Sequence, residues 1–196
     1  MVKRPLNGDG QTWKTFLANH KEGIASMDFI IVPTIHFKLL YCLIIIHHAR
    51  RKIVHIAVTT IPTAAWVAQQ LVEAFPWSDA PDYLIRDNDP VFNGFVRRKM
   101  RHIGIRDRPT ALYSPWQNGY SERINGTLRR ECLDHILILG EAHLRRIMRG
   151  YVHYYNNART HLSLEKNSPN RRQVHTEGAV KSVKHLGGLH HEYVRI

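Results

Sequence analysis

Three carboxylates stand out by type and setting. Asp28 lies inside the β-rich apolar run Met27-Asp28-Phe29-Ile30-Ile31-Val32. Asp87 follows Tyr83-Leu84-Ile85-Arg86 and leads into Asn88-Asp89-Pro90. Glu122, separated from Asp87 by 34 residues, comes early in a helical stretch. Aspartate within an apolar strand is unusual, and ligands of α/β sheets gather at C-terminal strand ends such as the one before Asp87. Three carboxylates brought to one point repel each other unless a cation neutralises them. Hard oxygen donors suit Mg²⁺ or Mn²⁺. Two such ions about 4 Å apart can activate an attacking oxygen and stabilise a leaving one in phosphodiester chemistry. Taken singly, each residue has a plainer explanation: Asp28 capping a bulge, Asp87 capping a turn, Glu122 a solvated helix residue.

The carboxylates can act together only if the elements carrying them converge. Residues 24–58 read as three strands. Residues 27–32 end at Pro33, the near-continuous apolar run 37–46 reads as a buried central strand, and residues 53–58 follow the charged turn 49–52. Short connections imply an antiparallel meander. Thr63 is the expected N-cap of a helix whose stripe is Trp66, Val67, Gln70, Leu71 and Ala74 and which stops near Pro76. A short strand at 83–85 follows. Next comes a helix at 92–102, with Phe92, Phe95, Val96, Met100 and Ile103 on one side, and then a short strand ending at Pro109. Residues 113–119 carry both a capping-box pattern and an Asn118-Gly119 turn signal, and the reading is a loop with the helix proper at 120–134. A last helix over 141–157 has the apolar stripe Leu144, Ile147, Met148, Tyr151, Val152 and Tyr155, with Arg145, Arg146, Arg149 and His153 on a basic face.

The order βββαβαβαα with right-handed crossovers places strands four and five parallel to strand one. That is a mixed five-stranded α/β sheet in the order of an RNase H-like fold. In that arrangement Asp28 and Asp87 approach each other and the helix from residue 120 brings Glu122 down on the pair.

Composition sets the bounds. The chain has 196 residues, 28 Lys+Arg against 16 Asp+Glu, and a formal net charge of +12. With 43% hydrophobic and 22% charged residues, it is too apolar for a disordered polycation and suits one packed domain. Residues 1–96 carry nine basic and eight acidic side chains, whereas residues 97–196 carry nineteen and eight, so the halves differ as +1 and +11. A one-sided positive field attracts polyanions, nucleic acid above all. The longest apolar run, residues 39–46, is far short of the roughly 20 residues of a membrane-spanning helix. The first residues have no apolar core of the secretory kind. Two cysteines build neither a disulfide framework nor a four-cysteine zinc site, and a reducing, cytosolic setting is the default. The fourteen histidines include the pairs His47-His48 and His190-His191, which point to opposite faces of a strand, so zinc is not expected.

The sequence resembles the DDE integrases and transposases, specifically the integrase core of bacterial insertion elements. The resemblance covers about residues 24–165. It rests on Met27-Asp28-Phe29, on Arg86-Asp87-Asn88-Asp89 with Phe92 five residues after Asp87, on Gly104-Ile105, and on Ser114-Pro115-Trp116-Gln117-Asn118-Gly119-Tyr120-Ser121-Glu122-Arg123. It continues through Gly126-Thr127-Leu128-Arg129-Arg130-Glu131-Cys132-Leu133-Asp134 and closes with Tyr155-Asn156-Asn157, Arg159-Thr160-His161 and Leu164.

The resemblance implies that Asp28, Asp87 and Glu122 are a catalytic and metal-binding triad. Asp87 is preferred over Asp89 because the motif sets the catalytic residue five before the aromatic. It implies Mg²⁺, with Mn²⁺ as a substitute and two ions in all. It further implies DNA strand transfer by a 3′-hydroxyl after hydrolytic end nicking, duplex DNA (element ends and target) as substrate, and a homo-oligomer on that DNA. A bacterial cytoplasmic, nucleoid-associated location follows, with no membrane. Gln117, Asn118 and Gly119 would form a mobile loop against DNA. Arg123 belongs to the same motif, and Arg129 and Arg130 fall near the face of Glu122; all three are candidate DNA contacts. For Arg129 and Arg130 the alternative is an exposed ion pair with Glu131 or Asp134.

Asp89-Pro90 stands where the family commonly has a glycine; the proline, which fixes φ and removes an amide donor, would tilt the loop beside Asp87 and reduce activity. Relatives usually carry an N-terminal helix-turn-helix region, and residues 1–24 are too few for one. The expected division is a short N-terminal extension at 1–24, an integrase core at 25–164 and a basic C-terminal tail at 165–196. Two other functions remain open: a nuclease with the same triad but no strand transfer, and a decayed remnant that only binds DNA.

Overall fold

The computed structural model describes residues 12–76, 80–173 and 175–196; residues 1–11 of the N-terminal extension lie outside them. β1 (Ile24–Pro33), β2 (Leu39–His47) and β3 (Lys52–Thr59) form the expected antiparallel meander. β4 (Tyr83–Arg86) pairs parallel with β1, and β5 (Arg106–Pro109) pairs parallel with β4. The sheet order is β3-β2-β1-β4-β5, as an RNase H-like fold requires.

Side chains alternate along a strand, so β1 serves two cores. Ala25 and Met27 face α2 (Ala64–Ala74) and α3 (Gly94–His102), packing with Val67, Leu71, Val96 and Met100. Ile30 and Val32 face the other way, toward α4 (Gly119–Glu131) and α5 (Glu141–Asn157), with Ile124, Leu128, Leu144, Met148 and Tyr151. Asp28 has the parity of this second face. Thr63 caps α2 as expected, its hydroxyl accepting from the Trp66 amide at 3.2 Å. The short α1 (Trp13–His20) docks Phe16 on Tyr83, Ile24 and Ile85.

Several boundaries differ from the sequence reading. The central apolar run begins at Leu39 rather than residue 37, because Phe37 sits in the turn at φ 59°, 90% exposed. Phe95 is also turned out; α3 starts at Gly94 behind its Asn93 cap rather than at residue 92, so Val96 and Met100 form its buried row and Phe92 is buried just ahead of it. Segment 113–119 is not an open loop: residues Pro115–Asn118 make a 3-10 turn that runs straight into α4. That helix ends at Glu131, short of residue 134, because Cys132 leaves helical geometry and a second 3-10 turn follows over Leu133–His135. The C-terminal segment read as a tail folds into an antiparallel hairpin, β6 (Val180–His185) with β7 (His190–Arg195). The hairpin is fastened to the core where His190 stacks on Tyr154 at 4.3 Å and donates from Nε2 to the Glu131 carbonyl at 2.7 Å. No helix among the described residues is long and apolar enough to cross a membrane.

Candidate active site

Asp28 sits mid-strand on β1, opposite Ile44 of β2, on the face that α4 crosses. Its carboxylate is held from two sides. Oδ1 accepts the Phe29 amide at 2.8 Å, and Oδ2 accepts the Asn125 side-chain amide at 2.9 Å. Asn125 lies three residues beyond Glu122, so the two share one side of α4. Neither composition nor motif singles out Asn125; only its helical spacing from Glu122 could have signalled it.

A polar seam seats α4 on β1. Ser121 Oγ donates to Ser26 Oγ at 2.9 Å, His48 Nε2 lies 3.0 Å from the same oxygen, and the Tyr120 ring stacks on His48 at 4.0 Å. Burial holds His48 neutral, with help from the charges of His47 and Lys21, and pushes its pKa down to about 3. Asn118 is buried and donates to the Met27 carbonyl at 3.3 Å. With Ser121 anchored inward, Glu122 stands next to it on the exposed rim of the helix.

Asp87 follows the last residue of β4 and is exposed. Its Oδ1 accepts the Asp89 amide at 3.3 Å, and Asn88 donates to the Thr110 carbonyl at 2.5 Å. The turn is completed by the Val91 amide on Asp89 Oδ1 at 2.8 Å and by the Phe92 amide on the Asp89 carbonyl at 3.0 Å. These bonds lie on either side of Pro90 and ask for no donor there. Neither Asp89 nor Pro90 is among the positions with positive φ, so the proline stands where no left-handed backbone is needed. Arg86 fixes the turn from below, with Nη1 donating to the Asp87 carbonyl at 2.7 Å.

Asp28 feels the charges of the other two carboxylates. The Asp28 carboxyl is pushed up to about 7, first by burial; its bond from Phe29 pulls the other way, and the charges of Asp87 and Glu122 push further. Burial raises Asp87 too, against the Asp89 amide bond, and the Asp89 charge adds to the rise. Among the described residues, however, no three His, Cys, Asp or Glu side chains stand close enough to hold an ion as they are. The two observations differ in range. Charges act over about 10 Å, whereas a Mg²⁺ ligand must reach about 2.1 Å. The site is a shared negative field with hard oxygen donors, not a closed cage. Two buried amide oxygens, Asn118 Oδ1 and Asn125 Oδ1, have no partner beside it. Donor chemistry and excess negative charge both fit a hydrated divalent cation.

The remaining expected DNA-binding residues fall as follows. Gln117 Oε1 accepts the Ala111 amide at 2.7 Å, and Gly119 is the first residue of α4. Arg123, Arg129 and Arg130 are exposed. Among the described residues, neither Arg129 nor Arg130 pairs with an acid; Arg129 Nη2 reaches only the Ile31 carbonyl, at 3.3 Å. Glu131 is taken by Arg159, which donates from Nε at 2.7 Å and Nη2 at 2.6 Å, with Tyr151 adding a third bond at 3.2 Å. The Tyr-Asn-Asn and Arg-Thr-His motifs thus clamp α5 to its neighbours: Asn156 bonds both the amide and the carbonyl of Ile53, and His161 packs edge-on against Tyr155. The strand-to-helix connection also exposes Leu112, Tyr113 and Trp116, the last of them within the 114–123 motif.

A five-stranded sheet in this order, with helices on both faces, defines an RNase H-like core, the class of the integrase and transposase catalytic cores. Residues 103–169 match the family model described as the integrase core domain. It is 28% identical over 170 residues to the insertion element IS476 uncharacterized 39.2 kDa protein of Xanthomonas euvesicatoria, covering 86% of this chain and 48% of that protein. The chain spans about half the length of the curated relatives it matches. Among solved structures it resembles the HTLV-2 integrase catalytic core domain in complex with magnesium, at TM-score 0.61 and 12% identity over 76% of this chain and 94% of that one. It also resembles the catalytic domain of Mos1 mariner transposase, at TM-score 0.60 and 12% identity over 71% and 76%. At such identities these likenesses establish the fold alone.

Proposed function

We propose that this chain is the catalytic core of a DNA transposition enzyme: a divalent-metal-dependent polynucleotidyl transferase that nicks DNA ends and joins a 3′-hydroxyl to target DNA. What supports this reading is the RNase H-like sheet order, with Asp28 mid-strand on β1, Asp87 just after the neighbouring parallel β4, and Glu122 on α4, whose Asn125 bonds Asp28. The integrase core match and the insertion-element relatives support the same reading. Asp28, Asp87 and Glu122 would hold Mg²⁺, for which Mn²⁺ substitutes, in two positions. Bound there, the metal supplies activation of the attacking oxygen and charge neutralisation at the phosphate.

The chain's own residues do the rest. Asn125 and the Phe29 amide orient the Asp28 carboxylate. Arg86 and Asn88 hold the Asp87 turn rigid. The Ser26–Ser121–His48 seam sets the height of α4, and so of Glu122, above the sheet. Arg123, Arg129 and Arg130, free of acidic partners among the described residues, face outward to meet phosphates, and DNA is the partner they suit. A homo-oligomer follows from the reaction, since two element ends are joined to one target.

The test is nicking and strand transfer on an oligonucleotide duplex with Mn²⁺, with Asp87→Asn and Glu122→Gln in parallel. The expected result is activity in the wild type and none in either variant. Nicked products without joined ones would leave a nuclease. Duplex binding by a folded, inactive wild-type protein would overturn the catalytic reading in favour of a DNA-binding remnant.

A further inference from the structure

The geometry points to a second DNA-binding surface, at the β5 edge of the sheet: the arginine groove between α3 and β5 holds the phosphate backbone of duplex DNA. It extends the function proposed above and rests on it only in naming DNA as the polyanion.

The groove has a volume of about 680 Å³ and is lined by Arg97, Arg98 and Arg101 of α3 and by Arg106 and Arg108 of β5. Among the described residues none of these five is in an ion pair. The one carboxylate in the lining, Asp107, is already engaged: Arg86 takes Oδ1 at 2.9 Å and Oδ2 at 2.7 Å from the buried side. Five arginines therefore line one open edge groove with no ion pair among the described residues, three from α3 and two held on the Tyr83 and Phe16 rings. Their mutual repulsion is a standing cost that a polyanion would remove.

Two of the five are pre-positioned. The Arg106 guanidinium lies 4.5 Å from the centre of the Tyr83 ring and donates to its hydroxyl at 2.8 Å. Arg108 lies over the rings of Tyr83 and Phe16, at 5.1 and 5.4 Å, and its buried Nε has no partner. Ring faces hold the cations without neutralising them. Arg97 and Arg101 are one turn apart on α3, about 6 Å along the axis. That is close to two axial steps of about 3.4 Å between phosphates of one strand. A regularly spaced polyphosphate fits this ladder better than a flexible acidic peptide does. One end of the groove opens at Gly94, seven residues beyond Asp87. The simplest rival is that arginines on an edge strand merely deter pairing with another chain.

The experiment measures binding of a labelled duplex of random sequence against salt, for the wild type, Arg97→Gln/Arg98→Gln/Arg101→Gln, and Arg145→Gln/Arg146→Gln/Arg149→Gln on α5. Removing one phosphate-binding arginine should reduce the slope of log K against log salt by about 0.9, so the α3 variant should fall by about 2 to 3. The α5 variant should fall by less. A wild-type slope in the α3 variant overturns the proposal and leaves edge protection. Stronger binding of polyglutamate than of duplex at equal charge overturns the choice of partner. Should the α3 variant not fold, phenylglyoxal labelling of the wild type decides: DNA should shield Arg97, Arg98 and Arg101, and equal labelling with and without DNA overturns the proposal. Asp87→Asn separates this from catalysis, because it should abolish strand transfer while keeping the full slope. An inactive wild type that keeps the groove's slope would sink the catalytic reading and leave the groove standing.

Discussion

Arg86 and Asp107 form a bidentate ion pair between neighbouring parallel strands, with side chains only 4% and 15% exposed. The same guanidinium donates to the Asp87 carbonyl, so one buried cation joins β5 to the turn that presents the second carboxylate. A buried pair contributes little against an apolar substitute, but breaking it strands a charge. Arg86→Met should therefore cost about 3–5 kcal/mol in urea unfolding, and Arg86→Met with Asp107→Leu should recover most of that. An additive double variant would show that the two residues are not coupled.

Asp28 makes stability depend on pH. Its carboxyl, at about 7 in the folded chain against 3.8 as the ordinary value, keeps its proton where the unfolded chain has lost one. The folded state thus binds more protons between those values, and this contribution, complete below about pH 4, is lost as pH rises through 7. In metal-free protein Asp28→Asn should be close to neutral at pH 4 and stabilising at pH 8, by an amount on the order of a few kcal/mol. Denaturation at the two pH values checks this, and an equal effect at both would refute it.

The same excess charge predicts a metal response. Mg²⁺ should raise the melting temperature of the wild type at pH 8, by about 2.7 kcal/mol of stability at a hundred times its Kd. Asp28→Asn and Asp87→Asn should abolish most of that gain. A shift of equal size in both variants would mean that the ion binds elsewhere.

Asn156 is buried in α5 and satisfies both backbone groups of Ile53 on the outer strand β3, at 3.0 and 2.8 Å. Asn156→Ala should cost about 1–3 kcal/mol, the penalty of buried groups left unpaired. The Ile53 amide should exchange faster with solvent, and unchanged exchange would count against the clamp.

Arg129 makes no ion pair among the described residues, which removes the surface-pair explanation for it. Arg129→Ala should lower the salt slope of duplex binding by about 0.9 while leaving thermal stability nearly unchanged. An unaltered slope would exclude binding to phosphate.

Much of this molecule is legible locally. Alternating and continuous apolar runs declare the strands, short connections declare the meander, and the hand of βαβ crossovers sets the sheet order. Asp28 is conspicuous because a charge inside an apolar strand needs a reason, and Thr63 because a capping hydroxyl acts within three residues. These signals sit in contiguous chain. What depends on partners distant in sequence is not legible. Phe37 and Phe95 have the pattern of core residues and are exposed, because burial is decided by which neighbours arrive, not by the side chain alone. Asn118 has the sequence setting of a mobile loop and is buried against Met27, 91 residues away. Asn125 and Arg86 are ordinary residues until α4 and β5 bring each to its carboxylate. The five arginines of α3 and β5 register in the sequence only as net charge. By itself the sequence determined the elements, their order and the identity of the acidic residues. Only the tertiary structure decided which polar groups hold those acids and which cations lack a counter-charge, because those are pairings across space that spacing along the chain does not encode.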